Sequence, residues 1–234
     1  MRVLKYLVGE GKNETIRYDQ NLKPYHEKIA YTISELSSKP QEPAQLLDVG
    51  CGVGNTLVSL MRLTRNIEFH VADIDKECLK ICESKFPVAS SILMDDIHSL
   101  TQKSQLKYDL VVYSHVLQYE PNPLEALNIL MTLVKPGGHL IIAVSNSLTP
   151  IKISNCLLKK QYSSGIYTWD RPTLANLTGQ LLECSSIDFN YDYVPLPLIY
   201  RYRFGQSIGK GLAKLFPWLA FSLILSIKKN SSHE

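Results

Sequence analysis

The chain has 234 residues, 45% of them hydrophobic and 20% charged, with a formal net charge of +3. That length suits one globular domain with elaborations, and so small and dispersed a positive excess gives no footing for a nucleic-acid track. Five cysteines without a C-x-x-C pair argue against a disulfide framework or a zinc site, so no metal is expected. The start Met1–Lys5 has no long apolar stretch of a secretory leader, which makes a cytoplasmic protein the default.

Pro24–Leu36 carries apolar residues at helical spacing (Tyr25, Ile29, Ile33, Leu36) and ends before the break Ser37-Ser38-Lys39-Pro40. The run Leu46-Leu47-Asp48-Val49-Gly50-Cys51-Gly52-Val53-Gly54-Asn55 is the most informative in the chain. A short apolar strand ends in a turn of alternating glycines, and an apolar helix follows from Thr56. Glycines there permit positive φ and a close approach of backbone to a ligand, and the amides at a helix start favour a polar or anionic group. A second strand, Ile67–Ala72, ends at Asp73-Ile74-Asp75, with Asp75 the N-cap candidate for a helix over Lys76–Phe86. A third, Ala89–Met94, runs into Asp95-Asp96-Ile97, and a fourth, Tyr108–Tyr113, into Ser114-His115. Asn122–Leu133 has helical spacing; Lys135-Pro136-Gly137-Gly138 is read as a turn before a fifth strand that reaches Val144.

Beyond that point the pattern changes. Ser145–Gly165 is irregular apart from a helical turn or two around Ile151, Ile153, Leu157 and Leu158. Asp170-Arg171-Pro172 opens a helix expected to reach Leu182, and Ser186–Tyr191 is a sixth strand. Val194–Phe216 is read as a Pro- and Tyr-rich insertion. Phe216–Ile227 is strongly apolar but shorter than the roughly 20 residues a bilayer crossing needs. It is read as a closing strand, with a membrane-surface contact through Trp218 as the alternative.

The glycine spacing narrows the ligand. The dinucleotide fingerprint G-x-G-x-x-G needs a third glycine where this chain has Asn55, and the acid Asp48 ahead of the turn would repel a pyrophosphate. Asp48–Gly54 resembles the D-x-G-C-G-x-G motif of the class I S-adenosylmethionine-dependent methyltransferases. The turn Leu133–Gly138 and the spacing of the carboxylates extend the likeness from Leu46 to Val144.

The resemblance implies an α/β, Rossmann-like, doubly wound seven-stranded sheet of order 3-2-1-4-5-7-6 with its last strand antiparallel. It further implies an N-terminal helical lid at 1–40, which Tyr18 or Tyr25 closes unless these tyrosines simply pack on the sheet edge, on a methyltransferase domain at 41–234 with insertions near 145–169 and 194–216. The cofactor implied is S-adenosyl-L-methionine, held by Tyr18, Asp48, Gly50, Cys51, Gly52, Asp73, Ile74, Asp96, Ile97 and Ser114. Asp73 would take the ribose hydroxyls, Ile74 the adenine face, and Asp96 with the Ile97 backbone the adenine edge, while Asp95 is a solvated loop charge.

His115 is the proton-acceptor candidate and Tyr119 a second catalytic candidate; His98 is a weaker one. The family's asparagine-proline-proline-tyrosine signature is replaced by Tyr113-Ser114-His115-Val116, which points to a small-molecule, sugar or lipid-linked acceptor. The crowd of Tyr191, Tyr193, Tyr200, Tyr202 and Phe204 with Arg201 and Arg203 suits a ring or sugar bearing an acidic group, or simple packing of the insertion. A monomer or homodimer without nucleic acid is expected. The alternatives are an idle cofactor- or protein-binding module of the same fold and an NAD-dependent oxidoreductase.

Overall fold

The computed structural model describes residues 22–37, 42–63, 66–158, 166–181, 184–200 and 202–231. Tyr18 and Arg201 lie outside the described residues, as do 1–21 and 38–40 of the expected lid. The first described helix, α1 (Pro24–Leu36), precedes strand β1 (Ala44–Val49), and α2 (Asn55–Leu63) follows the glycine turn. Then come β2 (Ile67–Asp73), α3 (Lys76–Lys85), β3 (Val88–Leu93), α4 (Ile97–Lys103) and β4 (Tyr108–Ser114). A 3₁₀ turn at Leu117–Tyr119 leads to α5 (Pro123–Leu133), β5 (Val134–Ser145) and α6 (Pro150–Leu157). The chain closes through α7 (Arg171–Thr178), β6 (Cys184–Tyr191), α8 (Arg203–Leu215), a 3₁₀ turn at Pro217–Leu219 and β7 (Ser222–Lys229).

The seven strands form one sheet in the order β3-β2-β1-β4-β5-β7-β6. β7 runs antiparallel to both β5 and β6, while β1 to β5 pair in parallel. Helices cover both faces, so the central strands read as nearly unbroken apolar runs rather than alternating ones. Alternate residues still go to opposite sides. Leu47, Val111, Tyr113, Leu140 and Ile142 join the core under α4, α5 and α7, whereas Leu46, Leu110, Val112, Ile141 and Ala143 join the core under α1, α2 and α3. Ile29, Ala30 and Ile33 of α1 are wholly buried in the second core, so α1 is an integral layer of the fold.

Local signals account for most helix starts. Asp75 accepts from Glu77 N at 2.8 Å, Asp170 from Thr173 N at 2.8 Å and Thr149 from Lys152 N at 3.2 Å. Four boundaries differ from the sequence reading. The segment Lys135–Gly138 stays in the β5 ladder as a bulge: Tyr108 pairs with Val134 and Leu110 with His139, five residues advancing against two. α7 stops at Thr178, whose Oγ1 turns back onto Leu174 O at 2.9 Å. The insertion 194–216 contains the helix α8, which packs through the small residues Gly205, Gly209 and Ala213. Only Ser222 onward is strand; Phe216 to Phe221 form the α8 C-cap and a 3₁₀ turn.

Candidate cofactor and acceptor site

The candidate site lies at the carboxyl ends of β1, β2 and β4, where the strand order reverses, the place at which such sheets take their ligands. Gly50, Gly52 and Gly54 all have positive φ, at 69°, 52° and 81°. Gly50 is also fixed by space: a Cβ there would fall on Val116 Cγ2 of the segment after β4. The glycine turn is thus seated directly on the β4 loop.

Four amides of this turn are already engaged. Gly50 N and Cys51 N donate to Ala72 O at 2.8 and 3.2 Å, Gly54 N to Cys51 O at 2.9 Å, and Gly52 N to Asp73 Oδ2 at 2.8 Å. An unspent amide cradle for a pyrophosphate is therefore missing from these four residues. Asp48 supplies the opposite feature. It is 2% exposed, its Oδ2 has no hydrogen-bond partner, and burial with the nearby Asp73 raises its carboxyl to about 8. A buried acid short of a donor suits a cationic ligand group, and the ammonium of S-adenosylmethionine meets that need without a phosphate.

Asp73 is held by Gly52 N on Oδ2 and by Asp75 N on Oδ1 at 2.9 Å, and burial still raises its carboxyl. Asp75 is the helix cap, so Asp73 is not. Asp96 N-caps α4, accepting from Ser99 N at 2.8 Å through Oδ1, and Ile97 opens that helix with its side chain buried. Asp95 is exposed and ion-paired with Lys103 at 2.8 Å, so it is a paired charge rather than a purely solvated one. Ile74 packs on the α4–α5 core, and Ser114 ends β4. Cys51 is buried: its Sγ lies 3.8 Å from Cys82 Sγ and 3.5 Å from Gly52 O, and the Cys82 contact and burial push the thiol up.

His115 has φ 59°, an uncommon conformation for a non-glycine residue, and its Nε2 lies 3.4 Å from Ser222 Oγ. Tyr25 of α1 packs beside it, its ring tilted by 47° with centroids 4.3 Å apart. Burial, then the charges of His26, Lys23 and Lys152, lower the imidazole to about 3. Tyr119 stands in the 3₁₀ turn and is half-buried. His98 lies 3.8 Å from Glu125 on the surface, away from the glycine turn in sequence and pairing.

Three polar groups at this edge escaped the sequence reading. Lys152 is buried, donates to Ser145 Oγ at 2.8 Å, and is lowered to about 8 by burial. Ser222 opens β7, and Asp192 follows β6. No local motif marks them, because they meet His115 and Tyr25 only through the closing of the sheet. Among the described residues no group of three or more His, Cys, Asp or Glu could hold a metal, and no helix is long and apolar enough to cross a membrane.

Comparison with known proteins gives the family. A family model described as a methyltransferase domain matches residues 18–180. The ubiquinone biosynthesis O-methyltransferase of Alkalilimnicola ehrlichii is 29% identical over 108 residues, 45% of this chain and 43% of that protein. The mitochondrial enzyme of the same name from Dictyostelium discoideum is 26% identical over 168 residues, 64% of this chain and 50% of that one. The chain thus spans about half the length of the curated relatives it matches. The plantazolicin methyltransferase BamL, solved with a substrate analog and SAH, superposes with a TM-score of 0.65 at 16% identity, covering 98% of this chain and 95% of that one. A SAM-dependent methyltransferase from Archaeoglobus fulgidus gives 0.61 at 19% identity, covering 96% and 99%. With its matched domain, its sheet order and its glycine turn, the chain belongs to the class I S-adenosylmethionine-dependent methyltransferases.

Proposed function

We propose that the protein transfers a methyl group from S-adenosylmethionine to a hydroxyl or amine of a small-molecule acceptor. The observation that carries this reading is the unpartnered oxygen of buried Asp48 beside a glycine turn four of whose amides are already spent. When bound, the cofactor supplies a methyl carbon already activated by a sulfonium sulfur. Asp48 receives the ammonium and Asp73, whose oxygens have lone pairs beyond the two backbone bonds, takes the ribose hydroxyls. Ile74, Asp96, Ile97 and Ser114 line the nucleoside side, and the backbone of Gly50, Cys51 and Gly52 shapes the floor.

What remains for the protein is alignment of acceptor and methyl, the effect that contributes most to such a displacement. Neutral His115, braced by Ser222 and covered by Tyr25, accepts a hydrogen bond from the acceptor group. With its basicity so depressed, it orients that group through this hydrogen bond without keeping the proton, which leaves to solvent water as the methyl bond forms. Tyr119 and α1 close the acceptor side. The O-methyltransferase relatives favour oxygen as the methylated atom.

The spent amides disfavour an NAD-dependent oxidoreductase, and the intact carboxylates favour a working enzyme over an idle module. The outward stripe of α8 (Phe204, Ile208, Leu215) adjoins Arg203, Lys210 and Lys214, an arrangement suited to an anionic lipid surface from which an apolar acceptor is drawn. Incubation with S-adenosylmethionine labelled in its methyl, followed by partition of small-molecule products, tests the activity. Turnover should fall at least about tenfold in His115→Ala with cofactor affinity kept; undiminished turnover discards His115 from the transfer.

A further inference from the structure

A second concavity lies apart from the glycine turn, between α1, the end of β6 and α8. It holds about 600 Å³, within the range of small-molecule sites. Its walls include Tyr31 of α1 and Tyr191 of β6, and Lys28 and Lys214 line it from the α1 and α8 sides. Lys210 also lines it and is tied to Glu27 at 2.8 Å, which links the two helices across the opening.

Asp192 lines the same cleft. It is 7% exposed, and its Oδ1 accepts from Tyr193 N at 2.7 Å and from Ser222 N at 2.9 Å. Its Oδ2 is buried and has no partner. Two backbone donors need only one acceptor oxygen, and an asparagine would serve them without burying an acid. The second oxygen is surplus to the fold, and a buried acceptor left unmade costs free energy. The lining holds three lysines against Glu27 and Asp192, and with Lys210 paired to Glu27 it is Lys28 and Lys214 that are left to meet a negative charge. After burial, the charge of Asp192 also raises the Tyr25 hydroxyl, whose ring is tilted against His115.

We infer that this cleft binds a hydroxylated aromatic carboxylate: the hydroxyl donates to Asp192 Oδ2, the ring lies against Tyr31 and Tyr191, and the carboxylate meets Lys28 and Lys214. This ligand is held apart from the methyl transfer, and its binding does not rest on the methyltransferase reading.

Calorimetric titration of para-hydroxyphenylacetate and of phenylacetate into the full chain, with and without S-adenosylhomocysteine, separates the two. The hydroxylated probe should bind about tenfold more tightly or better than the other, the effect of one hydrogen bond to a charged group. Asp192→Asn should shrink that preference below about threefold while affinity for S-adenosylhomocysteine stays unchanged. Lys214→Glu, on an exposed position, should weaken both probes about tenfold, and it remains decisive if the Asp192 variant fails to fold. Equal binding of the two probes, no binding of either, a preference that survives Asp192→Asn, or probe affinity untouched by Lys214→Glu overturns the inference. Failure of S-adenosylhomocysteine alone to bind would instead remove the cofactor reading.

Discussion

At the scale of residues, Asp48 is where the cofactor reading meets a measurable charge. Its folded carboxyl is raised to about 8 from 3.8, so the folded chain holds a proton there that the unfolded chain has shed. The contribution to stability is full below the unfolded value and is lost as pH rises through the folded one. In the ligand-free protein, Asp48→Asn should therefore raise the melting temperature more at about pH 8 than at about pH 5; an equal gain at both would show that Asp48 ionises freely. A bound ammonium reverses the shift. Near pH 7, calorimetry in two buffers of different ionisation heat should find close to one proton released per S-adenosylhomocysteine, and none in Asp48→Asn. Asp48 was legible in the sequence because strand, acid and glycines are neighbours along the chain. Asp192, Lys152 and Tyr25 against His115 were not, since residues 25, 115, 152, 192 and 222 meet only once β7 has inserted between β5 and β6.

At the scale of elements, the glycine turn separates conformational cost from steric cost. Gly50 and Gly52 both have positive φ, but a Cβ at Gly50 meets Val116 and one at Gly52 meets open space. Gly52→Ala should cost about 1–2 kcal/mol in chemical denaturation, and Gly50→Ala a further 1–3 kcal/mol or so for the overlap. Adding Val116→Ala to Gly50→Ala should recover part of that second loss. Equal costs for the two glycines, or no recovery, would show that the turn is not seated on the β4 loop.

The first five strands and the α1 helix follow from apolar periodicity and cap residues, which act within a few positions. α8 was read as part of an insertion because its inward stripe is Gly205, Gly209 and Ala213 while Phe204, Ile208 and Leu215 face outward. Glycines within a segment read as loop, and here they allow helix backbone to approach Val194 and Ile199. The β5 bulge was read as a turn for the same reason, its Pro-Gly-Gly being tolerated inside a ladder that pairing with β4 holds together.

At the scale of the whole molecule, the candidate cofactor site at the carboxyl edge of the sheet is accompanied by exposed apolar side chains on and around α8. Leu198, at φ 72° and 90% exposed, and the T-shaped pair Phe216 and Trp218 extend the outward stripe of α8. The chain should sediment with vesicles containing anionic lipid, less so at high salt, and Phe204→Ser with Leu215→Ser should reduce the bound fraction severalfold. Retention of all protein in the supernatant, or binding indifferent to these changes, would assign the stripe elsewhere.

The whole account stands on an adenosyl ligand at the β1 crossover, which titration of S-adenosylhomocysteine into folded wild type and Asp73→Ala measures most directly. The expected result is saturable one-site heat in the wild type, with affinity reduced about ten- to a hundredfold in the variant by the loss of hydrogen bonds to a charged group. No heat with the folded wild type, or equal affinity for both proteins, contradicts it.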